Sequence, residues 1–215
     1  MSRESKILTA ILVIVVGGMI AAFAIANKPT DSGPAPVGDK TKIIRDTSHH
    51  EGSGPVQLVE FGDYQCPACG AAYPNVQQVM KDYNGKVTLY FRNFPLTSLH
   101  PNAMIGAEAA EAAGAQGKYF EMHDLLYQQQ KDWSEDADPT SKLVGYAKTL
   151  GLDTDKFSKA LSDEQYKSVI QQDMADGTAL NINATPTFYI NGNQYAGGFD
   201  YASLKQAIDS ALATK

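Results

Sequence analysis

Cysteine is nearly absent from this chain: among 215 residues only Cys66 and Cys69 carry a thiol, three positions apart. That leaves none for a separate structural disulfide or a four-cysteine zinc site. Tryptophan occurs once, at Trp133. Positive charge is also short, with 18 Lys and Arg against 24 Asp and Glu, a formal charge of -6 and a pI near 5.2. A nucleic-acid binder needs a basic patch, so this balance speaks against nucleic acid as a partner. No internal repeat is present. What the chain does have is 43% hydrophobic and 20% charged residues, enough to build a packed core and too apolar for wholesale disorder.

Charge is missing locally as well. Residues 7–26 contain no ionisable side chain, and Thr9 is their one weakly polar group. Such a run, at ~1.5 Å per residue, makes about 30 Å of helix, the thickness of a bilayer core. Arg3 and Lys6 precede it, which favours a cytoplasmic N-terminus. The expectation is a single-pass anchor in the cytoplasmic membrane, residues 1–27, with the remainder extracytoplasmic. A cleaved signal peptide is the alternative, because Ala22-Phe23-Ala24 and Ala24-Ile25-Ala26 resemble cleavage sites. Cleavage would make the protein secreted. Residues 28–50, with Pro29, Gly33, Pro34, Pro36 and Gly38, read as a flexible tether. Lys42-Ile43-Ile44-Arg45 could add a short leading strand, and His49-His50 are expected to be solvated rather than metal-bound.

Periodicity places the elements beyond the tether. Val56 to Phe61 is β-rich and alternates loosely. From Cys66 to Lys81 the apolar residues Ala72, Val76, Val79 and Met80 have helical spacing, with a kink expected at Pro74. Asn84-Gly85 is a turn, and Lys86 to Phe91 a second strand. Then come helical patterns over 102–115, 118–130 and around Leu143 to Leu150, a short helix capped by Asp153, and a fifth. Ser162-Asp163-Glu164-Gln165 has the form of a capping box opening that fifth helix, with Gly177 at its end. Thr187 to Ile190, Asn191-Gly192 and Gln194 to Ala196 read as a type I′ hairpin, and Asp200 caps a last helix with Leu204, Ile208 and Leu212 on one stripe. The order is β-α-β, a helical block, then β-β-α: an α/β fold whose small mixed sheet is interrupted by an insertion.

Cys66-Pro67-Ala68-Cys69 lies where a strand hands over to a helix. Free N–H groups and the helix dipole stabilise a thiolate at that place, and Pro67 gives up an N–H that the first turn leaves unpaired anyway. A lowered thiol pKa makes Cys66 the attacking sulfur, and Cys69, one turn on, can resolve a mixed disulfide. An inert crosslink is the competing use of such a pair. Zinc would require two further ligands, with His100 or His123 reaching across the fold, so no metal site is expected. Glu60 lies six residues before Cys66 and shares a strand face with Leu58. Burial there would raise its pKa and suit it to relay a proton to or from Cys69. A strand-end carboxylate facing solvent is the alternative. Trp133 and Tyr127 fit core packing better than a substrate groove, and His100 is a lesser candidate for the active site.

Val59-Glu60-Phe61-Gly62-Asp63-Tyr64-Gln65-Cys66-Pro67-Ala68-Cys69 resembles the active-site segment of the DsbA-like thiol–disulfide oxidoreductases, especially their membrane-anchored bacterial members. Phe91-Arg92-Asn93-Phe94-Pro95-Leu96, His100-Pro101-Asn102-Ala103 and Ala184-Thr185-Pro186-Thr187-Phe188 match in order, so the resemblance spans roughly residues 54–212. It implies a thioredoxin fold, a mixed central sheet flanked by helices, formed by 51–97 and 178–215 with a helical insertion at 98–177. It implies that Pro186 is a cis-proline facing the cysteines and that Thr185 offers its backbone to the substrate chain as an added strand. Pro67 and Ala68 support the site. Pro67-Ala68 differs from the Pro-His pair of the best-known strong oxidants. The implied activity is donation of the Cys66–Cys69 disulfide to reduced, exported proteins, followed by reoxidation through a quinone-linked membrane partner. The dithiol is itself the redox centre, so no prosthetic group is implied, and a monomer is expected. A reductase or isomerase of the same fold, and an anchored binding module with a fixed disulfide, are the alternatives.

Overall fold

The computed structural model describes residues 40–214. The expected membrane segment and most of the expected tether lie outside the described residues. Among those described, no helix is long and apolar enough to cross a membrane.

Among the described residues five strands form one mixed sheet. They are β1 (His49–Gly52), β2 (Val56–Gly62), β3 (Val87–Asn93), β4 (Thr187–Ile190) and β5 (Asn193–Tyr195), in the spatial order β1-β3-β2-β4-β5. β2 runs parallel to β3 and antiparallel to β4, while β1 and β5 are antiparallel edges. β2 is central and covered on both faces. Leu58 packs with Leu89, Phe188 and Ile190 under α1 (Pro67–Asp82) and α8 (Tyr201–Ala213), whose inward stripes are Ala72, Val76, Val79 and Leu204, Ile208. Val59 and Phe61 face the other way, onto Ile43, Phe94, Leu180 and Ile182. α1 runs through Pro74 without a break. In the β4–β5 turn Asn191 and Gly192 both have positive φ, 49° and 78°, as a type I′ turn requires.

Between β3 and β4 the chain forms α2 (Ala103–Gly114), α3 (Tyr119–Gln128), α4 (Gln130–Trp133), α5 (Thr140–Thr149), α6 (Thr154–Ser162) and α7 (Lys167–Ala179). The pattern expected as one helix over 118–130 is thus two, broken at Gln129. The capping box at Ser162 is not used as one. Glu164 takes φ 48°, and the N–H of Gln165 returns to the Ala160 carbonyl, which closes α6. α7 starts only at Lys167, and the N–H of Tyr166 is taken by the Glu108 carboxylate of α2 at 3.0 Å. Gly177 lies inside α7 rather than at its end. A Cβ there would stand 2.5 Å from the Phe94 ring, so packing against the sheet demands the glycine. The left-handed exit residue is Asn181, φ 61°.

The leading strand is also displaced. Lys40–Lys42 form a 3-10 turn, and the edge strand is β1, seven residues beyond the Lys42 start expected for it. The described part of the expected tether, 40–50, is docked onto the fold. Ile43 is buried, and the fully buried Arg92 of β3 donates to the carbonyls of Lys42 and Ile43 at 2.9 and 2.8 Å. Arg92 also donates to Asp173 at 2.8 Å and Asp176 at 2.7 Å on α7, and Arg45 pairs with Asp176 from outside. Of the pair expected to be solvated, His50 is exposed but His49 is half-buried: it stacks on Tyr119 at 3.6 Å and bonds Glu111 at 2.9 Å. Local pattern missed this docking because every partner lies far along the chain.

Candidate active site

Cys66 is the N-cap of α1, with extended φ -67° and ψ 122°, and Pro67 occupies the first helical position. The approach from β2 is a tight turn. The Asp63 carboxylate accepts from the N–H of Gln65 at 2.8 Å, and the Asp63 carbonyl accepts from the N–H of Cys66 at 3.1 Å. This short Asx-type turn reverses the chain from strand into helix and leaves Cys66 at the helix mouth. The other oxygen of Asp63, itself buried, accepts from the N–H of Leu96 at 2.9 Å and pairs with His100 Nδ1 at 2.7 Å. His100 therefore braces the turn instead of facing the thiols.

The two thiols are free and differ sharply in surroundings. Cys66 is 7% exposed and Cys69 0%. Cys66 is brought down to about 5, first by its hydrogen bond with Cys69 and further by the backbone N–H groups of Cys69 and Ala68, against an opposing effect of burial. Cys69 is pushed well up, first by burial, then by its bond to Cys66 and by the negative charges of Glu60 and Cys66. The Thr185–Pro186 bond is cis, and the Thr185 carbonyl lies 3.4 Å from Cys66 Sγ. The sheet thus brings a loop from 119 residues away onto the cysteine.

Glu60 stands in the middle of β2, level with Phe91 on one side and Phe188 on the other. It is 2% exposed, and its Oε1 has no hydrogen-bond partner. The solvent-facing alternative is thereby excluded. Burial, and secondarily the charge on Cys66, push its carboxyl up to about 8.

Trp133 and Tyr127 are buried in the insertion's core; the Trp133 indole N–H donates to the Leu126 carbonyl at 2.8 Å. His123 is buried among Tyr64, Phe91 and Tyr127, and burial lowers its pKa. Among the described residues no group of three or more His, Cys, Asp or Glu side chains is arranged to hold a metal ion. The structure adds residues that were not singled out: Asp63, Gln65, Asn102 and Gln130, which hold the turn. An Asp two residues before Gln65 signals an Asx turn and could have been read. Gln130 carries no local signal.

The family described as Thioredoxin matches residues 46–210 of this chain. The probable disulfide bond formation protein D of Bacillus cereus is 33% identical over 214 residues, covering 96% of this chain and 94% of that protein. A Na(+)/H(+) antiporter NhaA 1 of Salinispora arenicola is 40% identical over 170 residues, 78% of this chain, and the chain spans only 25% of that relative's length. Among solved structures, the fold is similar to BdbD from Bacillus subtilis in its oxidised form, with TM-score 0.72, 24% identity, and 84% of this chain and 98% of that one covered. A thioredoxin-like oxidoreductase from Silicibacter pomeroyi is 28% identical at TM-score 0.67, covering 81% of this chain and 98% of that one. Sequence and fold agree with the strand-to-helix cysteine pair and the facing cis-proline, and the chain belongs to the thioredoxin family, with a disulfide bond formation protein among its relatives.

Proposed function

We propose that this chain is a protein disulfide oxidoreductase that donates its Cys66–Cys69 disulfide to reduced proteins. The observation that carries the reading is the asymmetry of the pair, a thiol brought down to about 5 beside one pushed well up. In the oxidised enzyme a substrate thiolate attacks Cys66 Sγ. The S–S bond breaks toward Cys69, whose thiolate takes a proton, and the protonated Glu60 carboxyl is the donor. A second substrate thiolate then attacks the substrate sulfur of the mixed disulfide and expels Cys66 as its stabilised thiolate. The substrate has lost two electrons and gained a disulfide; the enzyme is left as the dithiol. On reoxidation Cys66 attacks the disulfide of a partner, Glu60 as carboxylate takes the Cys69 proton, and Cys69 closes the bond. The dithiol is the only redox group these steps use.

In this reading an extended substrate segment pairs with the main chain of Thr185, beside cis-Pro186, as an added strand. The substrates in this reading are exported proteins and the reoxidant is a quinone-linked membrane protein. The uncharged run 7–26 supports a single-pass anchor that keeps a monomeric catalytic domain outside the cytoplasmic membrane. The Bacillus cereus relative's name, a disulfide bond formation protein, supports the oxidising direction.

The roles of the two thiols are tested by trapping. Cys69→Ala leaves a mixed disulfide on Cys66 that no internal thiol can break. Adducts with a reduced unfolded protein should accumulate in Cys69→Ala and be missing in Cys66→Ala. Equal trapping by both variants would refute the assignment.

A further inference from the structure

The main chain around Cys66 is gripped from the helical insertion by one side-chain amide. Gln130 Nε2 donates to the carbonyls of Tyr64 at 2.8 Å and Cys66 at 2.9 Å. Two acceptors select the amino end of the carboxamide, since only that end has two N–H donors. The Cys66 carbonyl also accepts the first bond of α1, from Gly70 at 3.1 Å, so both of its lone pairs are engaged. Between these carbonyls Gln65 reaches back into the insertion, its Nε2 to the Ser134 carbonyl at 2.5 Å and its Oε1 to the N–H of Asn102 at 2.6 Å.

The platform that carries Gln130 is anchored in the insertion's core. α4 ends on the wholly buried Trp133, and a Cβ on Gly106 of α2 would stand 2.7 Å from that indole. Room for the amide comes from the residue after Cys69. A Cβ on Gly70 would lie 2.4 Å from Gln130 Oε1, a distance real Cβ atoms do not tolerate. Gly70 sits in the helical region of α1, where glycine costs stability, and this close approach accounts for it.

We propose that Gln130 is a positioning residue for Cys66, admitted by Gly70: it clamps the main chain on both sides of the turn so that the sulfur is aimed at the groups that stabilise its thiolate. The proposal rests on the reading of Cys66 as the attacking thiol. Two effects act in the same direction. The amide N–H groups offset the partial negative charge of carbonyls close to the sulfur, and the pinned backbone keeps Sγ directed at the N–H groups of Ala68 and Cys69 at the start of α1. Losing the clamp therefore disfavours the thiolate.

The test is the pH dependence of iodoacetamide alkylation of the reduced full-length chain, which reads the thiolate of Cys66 at the mouth of α1 and not Cys69, whose thiol keeps its proton. Gln130→Leu keeps the bulk and removes both donors. A lost hydrogen-bond pair of ordinary strength should raise the alkylation midpoint by roughly one unit, about tenfold less thiolate at a pH below both midpoints. Gly70→Ala should raise the midpoint too, by displacing the amide, while its melting temperature stays level or rises because alanine suits a helix better. The double variant should shift no further than the larger single one, since both remove the same contact. An unshifted midpoint in folded Gly70→Ala, or shifts that add, would overturn the proposal. Should Gln130→Leu fail to fold, Gly70→Ala alone decides. Failure of the wild-type chain to oxidise a reduced protein, with both midpoints shifted, would strike the proposed function and leave the clamp standing.

Discussion

Glu60 on β2 and Arg92 on β3 occupy successive positions of one parallel ladder, Glu60 level with Phe91 and Phe61 level with Arg92. Both are buried, yet the sheet treats their charges in opposite ways. Arg92 spends its donors on Asp173, Asp176 and two carbonyls. Glu60 has apolar neighbours on both flanking strands and an oxygen with no partner. A satisfied buried charge holds its place and ties elements together, here the segment 40–45 to α7. A buried carboxyl left partly unsatisfied sits near its titration point and can exchange a proton at neutral pH. The cysteine pair repeats the contrast one turn away: Cys66 has its charge hydrogen-bonded, whereas Cys69 is buried and keeps its proton.

The comparison is broken most severely at Arg92. Arg92→Leu leaves Asp173 buried without its cation, while Asp176 keeps only Arg45 and Lys42 from outside, a loss of about 3–5 kcal/mol. Denaturant unfolding should show it as a large drop in midpoint, and a change below about 1 kcal/mol would mean that the network is not the anchor described.

Glu60 should show the opposite sign. Its carboxyl is protonated in the fold up to about 8 but only to the ordinary carboxylate value when unfolded, so stability is greatest at low pH and is lost as pH rises. Roughly 3 kcal/mol should disappear between pH ~4.5 and ~7. Glu60→Gln has nothing to ionise and should flatten that slope in pH-dependent unfolding, while slowing thiol–disulfide exchange. An unchanged slope would move the proton-relay role off Glu60.

A third measurement sharpens the contrast within the pair. Cys66 is depressed to about 5, so the reduced form gains stability from its thiolate. The gain is complete above the unfolded thiol's pKa, ~8.5, and vanishes as pH falls through the folded value. At pH 7 it amounts to roughly 2–3 kcal/mol in favour of the dithiol, which makes the disulfide an oxidant. Melts of both forms should show the reduced one more stable at pH 7 and the gap closing near pH 5. A more stable oxidised form would reverse the redox direction. The smallest effect belongs to a satisfied charge that is not buried. Lys159 and Asp163 pair at 2.6 Å on the surface of α6, and Lys159→Ala should leave the unfolding midpoint unchanged within error.

Much of the site could be read locally. Cys66 at a strand–helix junction, Pro67 behind it, Asn191-Gly192 and the Asp200 cap all act within a few residues of themselves, where hydrogen-bond geometry and φ preference dominate. Glu60 was accessible through strand alternation. The misread features share one property. The edge strand at His49–Gly52 exists because β3 offers it a ladder some forty residues on, and Ser162 to Gln165 end a helix because Glu108 captures the next N–H. His49 is ordered by Tyr119 and Glu111, and Gln130 meets Cys66 across 64 positions.

The amino-acid sequence by itself determined most of the elements and the reacting atoms: a thiol pair with the spacing of one helical turn, set after a β-rich run, and a proline before the second group of strands. Those properties are short-range and follow from covalent geometry and local hydrogen bonding. Tertiary structure alone decided the energies of those atoms. Burial raises Glu60 at the centre of the sheet and Cys69 in the first turn of α1, while Thr185 meets the Cys66 sulfur and Gln130 its carbonyl. Desolvation and electrostatic stabilisation depend on what surrounds a group in space, and for these residues the surroundings come from positions far along the chain.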